Sequence, residues 1–220
     1  MNLAKLITAV EGVIHDPDYT GEIIKDMINE AVLAIATGVM LPGKHELSPP
    51  LPDLYASDDV LTVVSTGYLS LPADFNRDMF MVVDSNSDTV PIEPSFKKFM
   101  ASYADEAAGE VFRCSVNGSQ LHYRDIPAGA TTLTVHYYST PDTLTDSADI
   151  PSCIPTSLHR DLIVGHVCKE IFNRLELGMA GQKVDTQNYE NIFNRGLLGL
   201  DDLVGKDERP DYYDNTTDYI

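Results

Sequence analysis

The sequence predicts an α+β chain: a helical bundle built from N- and C-terminal helices, an inserted small antiparallel β-sandwich or barrel, and an extended C-terminal arm. Three observations predict it. Apolar residues recur at helical spacing before Gly38 and again after Leu158. Between them the spacing switches to alternation, in short runs separated by turn residues. After Gly205 neither period is present. The implied divisions are 1–43 for the first part of the bundle, 44–148 for a loop and the β insert, 149–205 for the second part of the bundle, and 206–220 for the arm.

Leu3, Leu6, Ile7, Val10 and Ile14 share one helical face, and Asp16-Pro17 ends that run. Thr20 opens a second helix with the stripe Ile24, Met27, Ile28, Ala31 and Ile35, stopped by Gly38 and Pro42-Gly43. Leu41 to Asp59, with Pro49, Pro50 and Pro52, reads as an extended loop. Strand patterns follow at Val60–Val64, Gly67–Leu71, Met79–Val83 and Thr89–Glu93. Pro72 breaks the ladder at Leu71-Pro72-Ala73-Asp74-Phe75, because it has no N–H to donate. Pro94 to Tyr103 reads as a short helix with Phe96, Phe99, Met100 and Tyr103 on one side.

Asn117-Gly118 suits a two-residue hairpin turn. That turn would set Val116 opposite Ser119, Cys114 opposite Leu121 and Phe112 opposite Tyr123. Arg113 and Ser115 would then share the other face with His122 and Gln120. Pro127-Ala128-Gly129 turns the chain into a strand from Thr131, in which Leu133, Val135 and Tyr137 alternate with polar residues. A Pro-rich connector leads to a helix from about Leu158 to Leu177, capped by Thr156 or Ser157. Its centre, Leu162 to Cys168, is apolar almost all round, as in a helix buried on several sides. Gly178 and Gly181 make a turn. The last helix carries Tyr189, Ile192, Phe193, Leu197, Leu200, Leu203 and Val204, with Gly196 and Gly199 allowing close packing and Gly205 ending it.

The chain has 220 residues and a net charge of -19, from 34 acidic and 15 basic residues. Such a surface does not coat nucleic acid, which needs basic patches. It keeps a protein soluble, and it does not exclude a surface that DNA slides past without sticking. Cys114, Cys153 and Cys168 are distant and odd in number, which points to a reducing compartment. No signal peptide and no membrane-spanning run is read.

No catalytic residues, metal ligands or cofactor are assigned. Asp84, Asn86 and Asp88 have the first three positions of a calcium loop, but Thr89 replaces the required Gly and Ser95 the closing Glu, so a polar turn is the reading. His166 and Glu170 stand one turn apart without the second His of a zinc protease helix. His159 and His166 read as core or interface histidines. No nucleophile elbow or phosphate loop is present. The Asn215-Thr216-Thr217 sequon is read as accidental.

Leu71-Pro72-Ala73-Asp74-Phe75-Asn76-Arg77, Tyr137-Tyr138-Ser139-Thr140-Pro141-Asp142-Thr143-Leu144, and Asp149-Ile150-Pro151 through Leu158-His159 to Ile163-Val164-Gly165-His166 occur in that order. In this combination the chain resembles the head-to-tail adaptor (connector or neck) proteins of tailed bacteriophages, especially short-tailed ones. The resemblance implies a structural virion protein of the neck, not an enzyme, in a ring of identical subunits, commonly twelve. Its partners would be the portal protein and the tail or nozzle proteins, with DNA crossing the channel without specific binding and no membrane contact. A ring subunit has a neighbour on each side, which would account for a central helix with no wet face. Leu162, Val164, His166 and Val167 are the candidate subunit-packing residues. Arg209, Tyr212, Tyr213, Tyr219 and Ile220 are the candidate contacts of the arm with the portal or a neighbouring subunit, since tyrosines give large contact area at low entropy cost. The alternative is a β-sandwich ligand- or carbohydrate-binding module on a helical scaffold. Exposed aromatics on the β face would favour it, and the absence of Trp argues against it.

Overall fold

A computed structural model describes residues 1–63, 66–102, 109–177 and 183–208. The chain is α+β and divides into two units, Met1–Leu54 with Thr140–Ile220, and Tyr55–Ser139.

In the first unit, α1 (Leu3–Glu11) buries Leu3, Leu6 and Val10. Its cap is Asn2, whose side chain accepts the Lys5 N–H. The helix stops at Gly12, before Asp16-Pro17, and Ile14 stays buried beyond it. α2 (Gly21–Thr37) buries the whole Ile24 to Ile35 stripe together with Val32 and Ala36. Thr20 stands at the cap position, but its side chain makes no capping bond. Gly38 ends the helix with φ of 110°, a conformation a side chain would resist.

The central helix departs from its expected form. A 3-10 turn (Thr156–Leu158) leads into a π-helical turn (Arg160–Val164), and only then into α4 (Gly165–Leu175). Neither Thr156 nor Ser157 caps it; Pro155 occupies the flanking position. α5 (Val184–Glu208) lies along this segment. The reason the two can approach is glycine. A Cβ on Gly165 would meet the Phe193 backbone nitrogen at 3.2 Å, and one on Gly196 would meet Leu162 at 3.0 Å and the Asp161 backbone at 3.1 Å. A Cβ on Gly199 would stand 3.1 Å from Leu158. Arg195 closes the seam with two hydrogen bonds to the Asp161 carboxylate, at 2.9 and 3.0 Å. Phe193, Leu197 and Leu200 are buried, but Leu203 is 60% exposed and leaves the stripe. Gly205 does not end α5, which runs on to Glu208. One glycine costs a helix only about 1 kcal/mol relative to Ala, too little to stop it alone. The expected turn at Gly178 and Gly181 lies outside the described residues.

In the second unit, β1 (Tyr55–Leu61), β3 (Phe75–Asp84) and β6 (Thr132–Ser139) form one antiparallel sheet in the order β1-β6-β3. β2 (Tyr68–Ser70), β4 (Arg113–Asn117) and β5 (Gln120–Arg124) form another in the order β2-β5-β4. The buried cluster Leu69, Val82, Cys114, Leu121, Tyr123, Leu133, Val135 and Tyr137 draws on both. α3 (Phe96–Ser102) contacts β4 and buries Phe99, while Met100 is exposed. Tyr103, read as its last apolar residue, lies outside the described residues.

Three expectations are corrected. The loop from Leu41 ends at Leu54, since Tyr55–Leu61 is paired with β6 along its whole length. Thr89–Glu93 is not a ladder strand: it makes isolated bridges to Val83 and Cys114, as its Pro91 has no N–H to give. The hairpin turn is Gly118-Ser119, so Asn117 faces Gln120, Val116 faces Leu121 and Cys114 faces Tyr123. Gly118 alone has positive φ, 61°, at the first central position of the turn, the requirement of a type II′ turn. The slip moves each partner by two residues, so no side chain changes face. It exchanges a Val116–Ser119 pair for Val116–Leu121, apolar against apolar.

Gly196→Val will destabilise the fold by about 1–3 kcal/mol, because the new methyls meet the Asp161 backbone, which cannot yield as a flexible side chain does. Leu198→Ala, at an exposed position of the same helix, will stay within about 0.5 kcal/mol of the parent. Urea denaturation of both variants checks this.

Candidate assembly surfaces

The residues that carry the adaptor resemblance form joints. Tyr137 donates its hydroxyl to Asp74 Oδ1 at 2.7 Å, so the first two motifs meet in space. Phe75 packs its ring on Tyr137 with centroids 5.6 Å apart. Burial, and then the Asp74 carboxylate, push the Tyr137 hydroxyl well above the usual tyrosine range. Leu144, which ends the second motif, is clasped by Asn29 of α2: the Asn29 amide donates to Leu144 O at 3.1 Å, and Leu144 N–H donates to Asn29 Oδ1 at 2.8 Å. Asp149 of the third motif accepts the Thr145 and Asp146 N–H groups, both at 2.8 Å. These bonds hold the Asp149 carboxyl below the usual carboxylate range. Its own backbone carbonyl accepts the Leu3 N–H at the start of α1. The connector is thereby fastened to both N-terminal helices.

His159 is fully buried. Its Nε2 donates to Ile154 O at 2.8 Å, which leaves Nδ1 as the acceptor toward the Met1 amino group at 2.6 Å. Burial, helped by that positive amino group, lowers its pKa. His166 is half-buried, edge-on to Phe193 at 5.0 Å, with its pKa lowered by burial and by Lys169. Leu162, Val164 and Val167 are buried within the chain's own helical unit. The structure thus places three of the four candidate packing residues in the core. Glu176, in the turn after α4, accepts the Asp185 and Thr186 N–H groups and caps α5, a contact the sequence reading missed. The four-residue capping spacing was not available to reveal it, since the acid comes from the preceding helix.

The arm contacts Arg209, Tyr212, Tyr213, Tyr219 and Ile220 lie outside the described residues. The Asp84 carboxylate accepts the Asn86 N–H at 2.9 Å and the Asp88 N–H at 2.8 Å, capping its own turn. Among the described residues no group of three or more His, Cys, Asp or Glu is placed to hold a metal ion, and no helix is long and apolar enough to cross a membrane.

Two exposed faces on the β unit were not singled out from the sequence. On the sheet β1-β6-β3, Tyr55 and Phe80 are exposed, 5.8 Å apart, and Tyr55 shares a 2.8 Å hydrogen bond with His136 Nδ1. Beside β5, Phe96 of α3 and Tyr68 of β2 both pack tilted against His122, at 4.7 and 5.5 Å. Lys97 and Lys98 are exposed next to Phe96, and Arg113 lies 3.6 Å from the Glu93 carboxylate that Lys98 also approaches. The signal was faint in sequence because Tyr68 and His122 are far from α3 along the chain.

Tyr137→Phe will cost about 1.5–3 kcal/mol, the range for a hydrogen bond to a charged group, read as a lower denaturation midpoint. His159 takes up a proton less readily folded than unfolded. Below about pH 6.5 the unfolded chain therefore binds more protons, and stability present above that pH is lost as pH falls through the lowered folded value. His159→Gln will flatten the stability profile between pH 7 and pH 5, measured by urea midpoints across that range.

Among curated proteins none matches the chain. The family model described as SU10 adaptor protein matches residues 1–217, spanning all three joints and both units, and the chain belongs to the SU10 adaptor protein family.

Proposed function

We propose that this chain is a structural virion protein of the phage neck, a head-to-tail adaptor that forms a ring between portal and tail. The observation that carries this reading is the family match over residues 1–217. The ring, of twelve copies, extends the DNA channel and gives the tail or nozzle proteins their platform. DNA crosses it without specific binding, which suits a net charge of -19. The chain needs no cofactor and catalyses nothing. The helical part, read as 1–43 with 149–205, acts as one bundle, and the insert read as 44–148 contains a small antiparallel β-sandwich. Leu162, Val164 and Val167 serve subunit packing by holding the central helix in place, with half-buried His166 nearest to a neighbour.

The arm, read as 206–220, docks on the portal or on a neighbouring subunit through Arg209, Tyr212, Tyr213, Tyr219 and Ile220. Residues 206–208 belong to α5, so the docking contacts are assigned to 209–220. A second reading, a ligand- or carbohydrate-binding module, draws on the exposed pair Tyr55 and Phe80. Those rings lie against each other and His136, which leaves less open ring face for a sugar.

Mixing the purified chain with its portal and imaging the product tests the reading: a ring on the portal is expected. A chain that stays free of the portal and binds a glycan array overturns it. Deleting residues 209–220 will leave the thermal midpoint unchanged and weaken portal-ring assembly, and added salt will weaken assembly of the intact chain.

A further inference from the structure

Copies of a chain with a net charge of -19 repel one another at long range. Where two copies touch, opposite charge has to be supplied locally. Cations are scarce: the β unit, Tyr55–Ser139, has as its Lys and Arg residues only Arg77, Lys97, Lys98, Arg113 and Arg124. Four of these five gather around α3 and the β4-β5 hairpin. Arg113 and Arg124 face each other across the hairpin. Arg124 lies over the Phe99 ring of α3 at 5.4 Å. Lys97 and Lys98 stand on α3 itself, with the Lys98 side chain 71% exposed. Glu93 offsets part of this charge, but its carboxylate is held between Lys98 and Arg113 at 3.8 and 3.6 Å.

The same place is aromatic. Phe96 and Tyr68 both pack against the His122 ring at tilted angles, 52° and 40°, and Tyr68 remains 39% exposed. A patch of lysines around clustered rings fits an acidic, tyrosine-bearing peptide: its rings add to the cluster while its carboxylates reach the ammonium groups. The chain contains one such segment. Residues 211–220, DYYDNTTDYI, hold Asp211, Asp214 and Asp218 among Tyr212, Tyr213 and Tyr219, with no Lys, Arg or His. α5 is described as far as Glu208, and twelve further residues, 209–220, would reach roughly 40 Å if extended, enough to cross onto another subunit.

We propose that residues 211–220 of one copy lie on the Lys97, Lys98, Phe96, His122 and Tyr68 patch of a neighbouring copy, as a clasp between subunits. This rests on the adaptor reading, and it assigns the arm to the ring itself. Nucleic acid is the other ligand for a basic aromatic patch, but the rest of the surface is acidic and would repel a long phosphate chain.

The test uses full-length chains assembled on the portal, half of them isotope-labelled, with a photo-cross-linking residue in place of Tyr213. The expected product joins position 213 to peptides containing Lys97–Met100 or Arg113–Arg124, in labelled–unlabelled pairs. The double substitution K97E/K98E should lower its yield about tenfold, the scale of two lost interface charges, while Lys5→Glu on α1 leaves it unchanged. Cross-links within one copy only, cross-links to the portal, or a yield indifferent to K97E/K98E would overturn the clasp and leave the adaptor reading standing. So would a single-stranded DNA oligonucleotide that binds the patch while position 213 gives no cross-link to it, which would assign the patch to nucleic acid. Failure of the chain to join the portal at all would remove the adaptor reading and the clasp with it.

Discussion

The helical unit depends on one close contact, the approach of backbone to backbone between the segment Leu158–Gly165 and α5. Glycines on both sides make it possible: Gly165 faces Phe193, and Gly196 and Gly199 face Leu162 and Leu158. The π turn at Arg160–Val164 falls within this seam. Around it the other helices find their places by burial, since α1 and α2 both contact the same turn. The seam also uses charge sparingly. Asp161 and Arg195 form a paired, two-point contact at its rim, where solvent keeps the cost of holding both charges low. His159 serves the interior as a neutral ring, donating at Nε2 and accepting at Nδ1. A charged ring there would add a donor at Nδ1 facing an ammonium group, which is why its protonation opposes folding.

The β unit solves a different problem. Its sheets are small, so each polar group that enters the core must be paired. Tyr123 is fully buried, and its hydroxyl both accepts the Val63 N–H and donates to Val63 O, each at 2.6 Å. Tyr137 does the same work with Asp74. The open edges are blunted rather than left bare. Val90 bonds to Val82 beside β3, and Glu93 and Pro91 bond to Cys114 beside β4. β1 carries Asp58 and Asp59 in its middle, and charge on an edge strand discourages pairing with a stray chain.

What was legible in the sequence follows from which signals are periodic. The stripes of α1 and α2 were read residue by residue, because burial on one face of a helix repeats every three to four positions. The side of Cys114, Leu121 and Tyr123 was read correctly while the register was not, and Ser115, read on the polar face, is buried whereas Phe112 is exposed. Alternation fixes parity, and the two candidate turns, Asn117-Gly118 and Gly118-Ser119, differ by two residues and so keep parity. The first five residues of β1, Tyr55–Asp59, read as loop in the sequence because both faces of the strand are largely exposed, which removes the alternation that marks a strand. The π turn left no mark, since its apolar residues fit an α-helix as well. On the candidate surfaces, the sequence pointed to Leu162, Val164 and Val167 by their apolarity, and apolarity alone does not separate a core shared with one's own helices from one shared with a neighbour. The Lys97–His122 patch was invisible for the opposite reason: it is assembled from three elements, and no single run of residues contains it.

The motifs that carry the family resemblance turn out to be internal joints, and this explains the reach of the resemblance itself. Asp74 and Tyr137 tie two strands' ends, Asn29 and Leu144 tie the connector to α2, and Asp149 ties it to α1. Each joint requires particular atoms at particular positions: a carboxylate to accept a hydrogen bond from a phenol, a side-chain amide to meet both backbone groups of one residue. Such requirements are specific enough to be recognised in a short run of sequence. A contact between subunits is held to a looser standard, because area, ring stacking and net charge can be met by many residue combinations. The family is therefore readable from the joints, while the partners have to be read from surfaces, where the exposed lysines of an otherwise acidic chain are the sharpest feature.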